Sequence, residues 1–305
     1  MAALVEIQHP PIPLANLSHP RYVHHVCYSE FQPRRQSCSR HGRKSAVHLL
    51  FLRRTKLSDD LGRGIGADIA IELAQRGARV AVNYLNSVDG AEQVVQKIKE
   101  LGNGSDAALF KANVANPKDV ETLMDNVVAH FGRLDICCSN AGIHSSGHFS
   151  HVKAADFDRI FTTNTRAQFF VAKEAYNRME VGGRIILMSS ITAQAKAIPE
   201  HAVYAGSKGA IESFARCMAV DAGPKKVTVN CVAPGGIKTD MFNAGRDKVV
   251  PDDDKGNVDA YISRLSPHHR IGETADVSRV VAFLASQDAE WVNGKVIGID
   301  GGANM

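Results

Sequence analysis

From Gly62 onward the chain alternates between segments with helical apolar spacing and short segments that are apolar on nearly every residue, and this constrains the fold more than anything else in the sequence. A strand with apolar side chains on both faces must be buried on both faces. When such strands are separated by helices, the sheet is parallel and helices cover each side. Helical spacing shows at Ile65, Ile69 and Leu73, ending before Gly77; Ser87 caps a helix that runs to Leu101; Pro117 opens another that reaches Phe131. Further helices are expected over 153–179, 204–222 and 275–285, with strands at 79–83, 107–114, 134–138, 184–188, 228–232 and 295–299. The expected fold class is α/β, a single doubly wound parallel sheet with ligands at the carboxyl ends of its strands. No internal repeat and no second domain are visible.

Residues 1–58 have a different texture. They hold Pro10, Pro11, Pro13, Pro20 and Pro33 and nine Lys/Arg against Glu6 and Glu30, and they lack hydrophobic periodicity until about Ala46. A disordered, basic, Pro-rich extension is expected there, followed by a single folded domain over 59–305. The net charge of +4 describes that front alone, because the other 247 residues carry 27 basic and 30 acidic side chains. The body has no basic excess to hold a phosphate backbone, so nucleic acid is not an expected partner. No run approaches the roughly 18 apolar residues of a membrane-spanning helix. The six cysteines show no CxxC and no metal-ligand spacing, so no metal and a cytoplasmic, reducing setting are expected.

Gly62-Arg63-Gly64-Ile65-Gly66 leads directly into a helix, an arrangement that lets backbone N–H groups approach a pyrophosphate. A second constellation is more specific. Tyr204-x-x-x-Lys208 places a phenol and an ammonium one helical turn apart, where the cation is expected to lower the phenol pKa. The other five tyrosines lack Lys four residues on; Ser190 stands fourteen residues upstream at the end of a strand, and Asn164 on the preceding helix.

With these four residues and the glycine turn, the chain resembles the short-chain dehydrogenase/reductase family, which has a Rossmann-type sheet and a turn reading T-G-x-x-x-G-x-G. Gly64 and Gly66 match its last two glycines, while Asp59 and Asp60 stand where the family has Thr-Gly. Two carboxylates there oppose a pyrophosphate by about 1 kcal/mol each when water-exposed. The strand that should precede the turn is either missing or supplied by Ala46–Leu52 with a longer loop, since the charged run from Arg53 to Ser58 cannot be a buried strand.

The resemblance implies Tyr204 as the general acid, Ser190 positioning the carbonyl oxygen, Lys208 holding the nicotinamide ribose and Asn164 anchoring a water of the proton relay. Ser189 should point to the opposite face. The cofactor is expected to be NADP(H), because no acidic residue occurs in Asn83-Tyr84-Leu85-Asn86-Ser87 at the second strand end and Arg63 suits a 2′-phosphate. Asn113 and Val114 resemble the family's adenine-edge pair, Asn140-Ala141-Gly142 the end of its N-N-A-G turn, and Pro234, Gly235, Ile237 and Thr239 the turn against the carboxamide.

Three stretches (187–197, 201–212 and 233–241) and the ending 294–302 resemble fungal hydroxynaphthalene reductases more closely. That subgroup reduces polyhydroxylated aromatic polyketides. Substrate contacts are then expected from Ser190, Ile191, Tyr204, Met241 and Phe242, the last stacking on a flat ring, with Ile143 and His144 lining the pocket and 239–270 as a lid. A homotetramer is implied, with Met305 reaching a neighbouring subunit's site. Competing expectations are a generic ketoreductase of acyl-thioesters, distinguished by a substrate panel, and a silent product with a damaged turn, distinguished by NADPH titration.

Overall fold

The computed structural model describes residues 47–51 (backbone), 64–194 and 198–303. The expected roles of Gly62, Arg63 and Met305, the Asp59-Asp60 pair, and the disorder expected ahead of residue 47 lie outside the described residues.

In chain order the elements are β1 (Val47–Phe51), α1 (Ile65–Gln75), β2 (Arg79–Tyr84), α2 (Val88–Lys99), β3 (Asp106–Lys111), α3 (Pro117–Phe131), β4 (Ile136–Ser139), α4 (Ala154–Phe161), α5 (Ala167–Arg178), β5 (Arg184–Met188), α6 (Ala202–Asp221), β6 (Thr228–Pro234), α7 (Asp240–Gly245), α8 (Val258–Leu265), α9 (Thr274–Ala285) and β7 (Val296–Ile299). The seven strands form one parallel sheet in the order β3-β2-β1-β4-β5-β6-β7.

Of the two readings of the first strand, the one supplied by 46–52 is present. Leu49 pairs with Ala81 of β2 on one side and Cys137 of β4 on the other, so β1 occupies the middle of the sheet. The compact unit that contains the sheet begins at Lys44. β1 thus lies ahead of residue 59 in the chain.

Strand alternation divides the core into two layers. Ile185 and Leu187 of β5 face α3, α5 and α6 through Leu123, Val171 and Ile211, while Ile186 and Met188 face α1, α2 and α9 through Ile69, Val94 and Val281. All are buried, and a fully buried aliphatic side chain contributes about 1.5–3 kcal/mol. Above the carboxyl end of β6, Phe242, Tyr261, Ile262 and Ile271 make a small separate core for the segment 239–271.

The helix expected over 153–179 is not continuous. A π turn at Thr162–Arg166 separates α4 from α5, and the reason is polar: Asn164 and Thr165 are turned inward to buried partners. Ser87 precedes α2 as expected, yet its hydroxyl makes no capping bond. Among the described residues no helix is long and apolar enough to cross a membrane.

Candidate active site

The chain runs outward from β1 through β2 to β3, then returns to β4 and runs the other way. The switch lies between β1 and β4, where a parallel sheet leaves a crevice at its carboxyl edge. The sequence-predicted site residues follow the ends of β2 to β6, or open α1, and so converge on that edge.

Ser190 follows β5, and Tyr204 and Lys208 lie in the first two turns of α6. Ser190 Oγ accepts from Thr192 N at 3.3 Å and Thr192 Oγ1 at 3.0 Å. Both incoming bonds occupy lone pairs, which leaves the Ser190 hydrogen available to an acceptor in the site, and Ser190 stands near enough to act on the Tyr204 phenol. Burial pushes the Tyr204 phenol up and Ser190 pulls it back. The expected lowering by Lys208 is not what governs the phenol here; the ammonium lies 5.9 Å from the ring centroid and donates to Met188 O at 2.8 Å. Lys208 is itself only 3% exposed, and burial pulls it down to about 8.

Asn164 is fully buried on the π turn. Its Nδ2 donates to Ile143 O at 2.8 Å and Ser207 Oγ at 3.1 Å, and its Oδ1 accepts from Ile143 N at 2.7 Å. The amide thus clamps the loop after β4 to α6, and that clamp is its visible task. Ser189 points the other way, as expected, donating to Glu212 Oε1 at 2.8 Å.

Two supporting residues escaped sequence reasoning. Gln168 donates to Asn164 O at 2.9 Å and Met188 O at 3.0 Å and accepts from Met188 N at 2.8 Å, tying the π turn to the strand end that presents Ser190. Ser207 Oγ receives Asn164 and donates to Tyr204 O at 2.7 Å. The available signal was a polar residue at helical spacing on an otherwise apolar face: Gln168 stands four after Asn164, and Ser207 is next to Lys208.

Around the dinucleotide edge the placements differ in kind. Gly64 has φ +108°, a conformation L side chains rarely adopt, and caps α1 with no side-chain bond. The first-turn N–H groups of Ile65, Gly66 and Ala67 have no partner among the described residues. Asn83, expected to face the ribose, is 2% exposed and donates to Phe110 O at 3.0 Å and Ala112 O at 3.2 Å, so it ties β2 to the end of β3. Tyr84 packs on the core, Asn86 is exposed, and Ser87 Oγ is buried without a partner. Asn113 Oδ1 holds Ala115 N at 3.1 Å, and Val114 packs on the core. Asn140 is half-buried, and Ala141 is buried behind it. A Cβ on Gly142 would stand 3.3 Å from Lys208 Nζ, and one on Gly235 only 2.8 Å from Asp300 Cβ. Pro234 ends β6, Ile237 is buried against Gly272, and Thr239 Oγ1 caps α7 by accepting Phe242 N at 3.2 Å.

On the substrate side Ile191 and Met241 are half-buried at the edge of the site. Phe242, expected to stack on a ring, lies against Gly236 and Ile262 in the small core of 239–271.

Lys208 carries a measurable signature. Its folded-state pKa of about 8 lies below the ordinary 10.5, so between those values the unfolded chain binds the extra proton. Stability due to this side chain is flat below pH 8 and rises from 8 to 10.5. Thermal unfolding of wild type and Lys208→Met across that window should show the wild type gaining on the variant; parallel curves would contradict the burial of an ammonium here.

A family model described as enoyl-(acyl carrier protein) reductase matches residues 61–304. Elsinochrome reductase 1 of Elsinoe fawcettii is 57% identical over 247 residues, 80% of this chain and 92% of its own. Tetrahydroxynaphthalene reductase of Pyricularia oryzae is 58% identical over 248 residues, 80% of this chain and 87% of its own. Versicolorin reductase of Emericella nidulans is 57% identical over 245 residues, 79% and 92% respectively. Among solved structures, a short chain dehydrogenase from Burkholderia cenocepacia in complex with NADP superposes with a TM-score of 0.74 at 33% identity, covering 87% of this chain and all of that one. Levodione reductase gives 0.76 at 27% identity, covering 86% and 99%. A sheet order, a site and four fifths of a sequence thus agree: the chain belongs to the short-chain dehydrogenase/reductase family and is an oxidoreductase.

Proposed function

We propose that the protein uses NADPH to reduce a carbonyl, or the keto tautomer of a phenol, in a polyhydroxylated aromatic polyketide, a hydroxynaphthalene or hydroxyanthraquinone, in fungal pigment or secondary-metabolite biosynthesis. The observation that carries it is the convergence of Ser190 and the buried Tyr204 phenol, on which Ser190 acts, beside a buried Lys208. The names of the relatives at 57–58% identity support the substrate class.

The residues fit a dinucleotide. The Lys208 ammonium is buried with one acceptor at 2.8 Å, which leaves donors for ribose hydroxyls. Ser87 Oγ is a buried, unpartnered polar atom at the end of β2, and α1 offers unpaired N–H groups behind Gly64. When bound, the cofactor supplies the hydride. Ser190 hydrogen-bonds the carbonyl oxygen through its hydroxyl and orients it, keeping its own proton. Tyr204, held neutral by a raised pKa, gives its proton to that oxygen as negative charge develops. Lys208 then stabilises the phenolate left behind. Asn164 and Gln168 hold the two loops that carry these groups.

The protein acts as a homotetramer in the cytoplasm. Support for association comes from large apolar side chains in the open, Trp291 at 97% exposure and Phe157 and Phe169 on α4 and α5. Support for a reducing compartment comes from four free cysteines among the described residues.

Steady-state assays with hydroxynaphthalenes, hydroxyanthraquinones and acyl-thioesters, each with NADPH and NADH, test the reading. Turnover of the aromatics with a preference for NADPH is expected. Turnover of acyl-thioesters alone would replace it with a generic ketoreductase, and failure of NADPH to bind at micromolar concentration would end it.

A further inference from the structure

His144 follows β4, and none of the steps above uses it. Its ring meets Tyr204 edge to face at 5.1 Å between centroids. Its Nε2 lies 3.0 Å from Nε2 of His201, and Nδ1 of the buried His201 lies 2.6 Å from Pro199 O. These contacts determine the tautomers. A carbonyl only accepts, so His201 Nδ1 carries the hydrogen and neutral His201 has its lone pair at Nε2. Two nitrogens 3.0 Å apart need one proton between them, so His144 Nε2 supplies it. His144 is then left with a lone pair on Nδ1 that has no partner among the described residues.

Two further observations bear on that atom. Burial, His201 and Lys248 pull His144 down to about 4, so the ring is neutral and Nδ1 stays an acceptor near pH 7. Gly245, the last residue of α7, packs over the His144 ring: a Cβ there would stand 3.3 Å from Cε1, 3.4 Å from Nδ1 and 3.9 Å from Nε2. The absence of a side chain at 245 leaves room for the ring in this position, on the side of the site formed by 239–270.

We propose that His144 is a specificity-determining residue: its Nδ1 accepts a hydrogen bond from a hydroxyl of the ring system whose carbonyl oxygen is held by Ser190 and Tyr204. The inference rests on the function proposed above and deepens it, because it says how the site prefers polyhydroxylated rings over plain ketones. A site built to pair a hydroxyl discriminates against the analogue lacking it, since its own acceptor is then left unpaired.

Two substitutions separate this role from a merely structural one. His144→Asn places an amide where Nδ1 was and gives up the link to His201. His144→Gln keeps a donor toward His201 Nε2 and gives up the acceptor at the Nδ1 position. The quantity to read is the ratio of kcat/KM for a polyhydroxylated naphthalene to that for a bicyclic ketone without hydroxyls. The ratio should fall about tenfold in His144→Gln, the worth of one hydrogen bond, and be retained in His144→Asn. The reverse pattern, or equal ratios in both variants, would overturn the inference and make His144 a support for His201. Wild-type turnover of both substrates without preference would overturn this inference alone. No wild-type turnover of any aromatic substrate would overturn the function on which it rests.

Discussion

Replacing Tyr204 by Phe is expected to lower kcat by about a thousandfold, within the range that a positioned general acid contributes. The variant keeps the ring that packs against His144 and the fold of α6, and loses one oxygen. That oxygen is the one Ser190 acts on, and burial raises its pKa and keeps it protonated at neutral pH. Ser190 is a poor substitute, because an aliphatic hydroxyl is a much weaker acid than a phenol and its oxygen already accepts two bonds from Thr192. NADPH affinity should stay within a few-fold of wild type, since Lys208 retains its place on Met188 O. Single-turnover kinetics with a cofactor titration alongside would check both halves, and a Tyr204→Phe enzyme with full turnover would remove Tyr204 from the mechanism.

The largest stability effect is expected from Asn164→Ala. The substitution strands two buried groups, the N–H and C=O of Ile143, and removes the bond that Ser207 Oγ accepts, although that hydroxyl keeps Tyr204 O. Each unsatisfied buried partner costs about 1–3 kcal/mol, so a loss of about 3 kcal/mol or more follows. For a domain of this size that is a fall in Tm of about 10 °C. Turnover should drop as well, because the loop after β4 and the start of α6 lose their common anchor. Denaturant unfolding monitored by far-UV circular dichroism gives the energy directly. A variant within 0.5 kcal/mol of wild type, the usual scatter for a surface change, would mean that the clamp does not bear on stability.

Much of this molecule was legible in the sequence, because the signals were local and repeated. Alternating apolar strands and helices specify a doubly wound sheet, and the spacing of Tyr204, Lys208 and Ser190 specifies which strand end faces which helix. What escaped depends on partners far away in the chain. β1 is five residues long and is followed by a charged run, so the sequence leaves it as one of two readings, and its pairing with β2 and β4 decides between them. The π turn at 162–166 has no periodicity of its own and exists because Asn164 and Thr165 reach buried groups more than twenty residues away in sequence. Asn83 sits where a ribose contact is expected, yet its amide meets two carbonyls of the β3 end that only the sheet register brings near. Phe242 packs beside Gly236 and Ile262 in the small core of 239–271, contacts that nothing at position 242 itself announces.

The central claim is that this crevice delivers hydride and a proton to one carbonyl of a hydroxylated aromatic ring. Incubating the full-length protein with NADPH deuterated at its transferable position and a hydroxynaphthalene, followed by mass and NMR analysis of the product, tests it most directly. The product should carry one deuterium, on the carbon that bears the new alcohol and with a single stereochemistry. An aromatic substrate recovered without deuterium, beside an acyl-thioester that takes it up, would contradict the account.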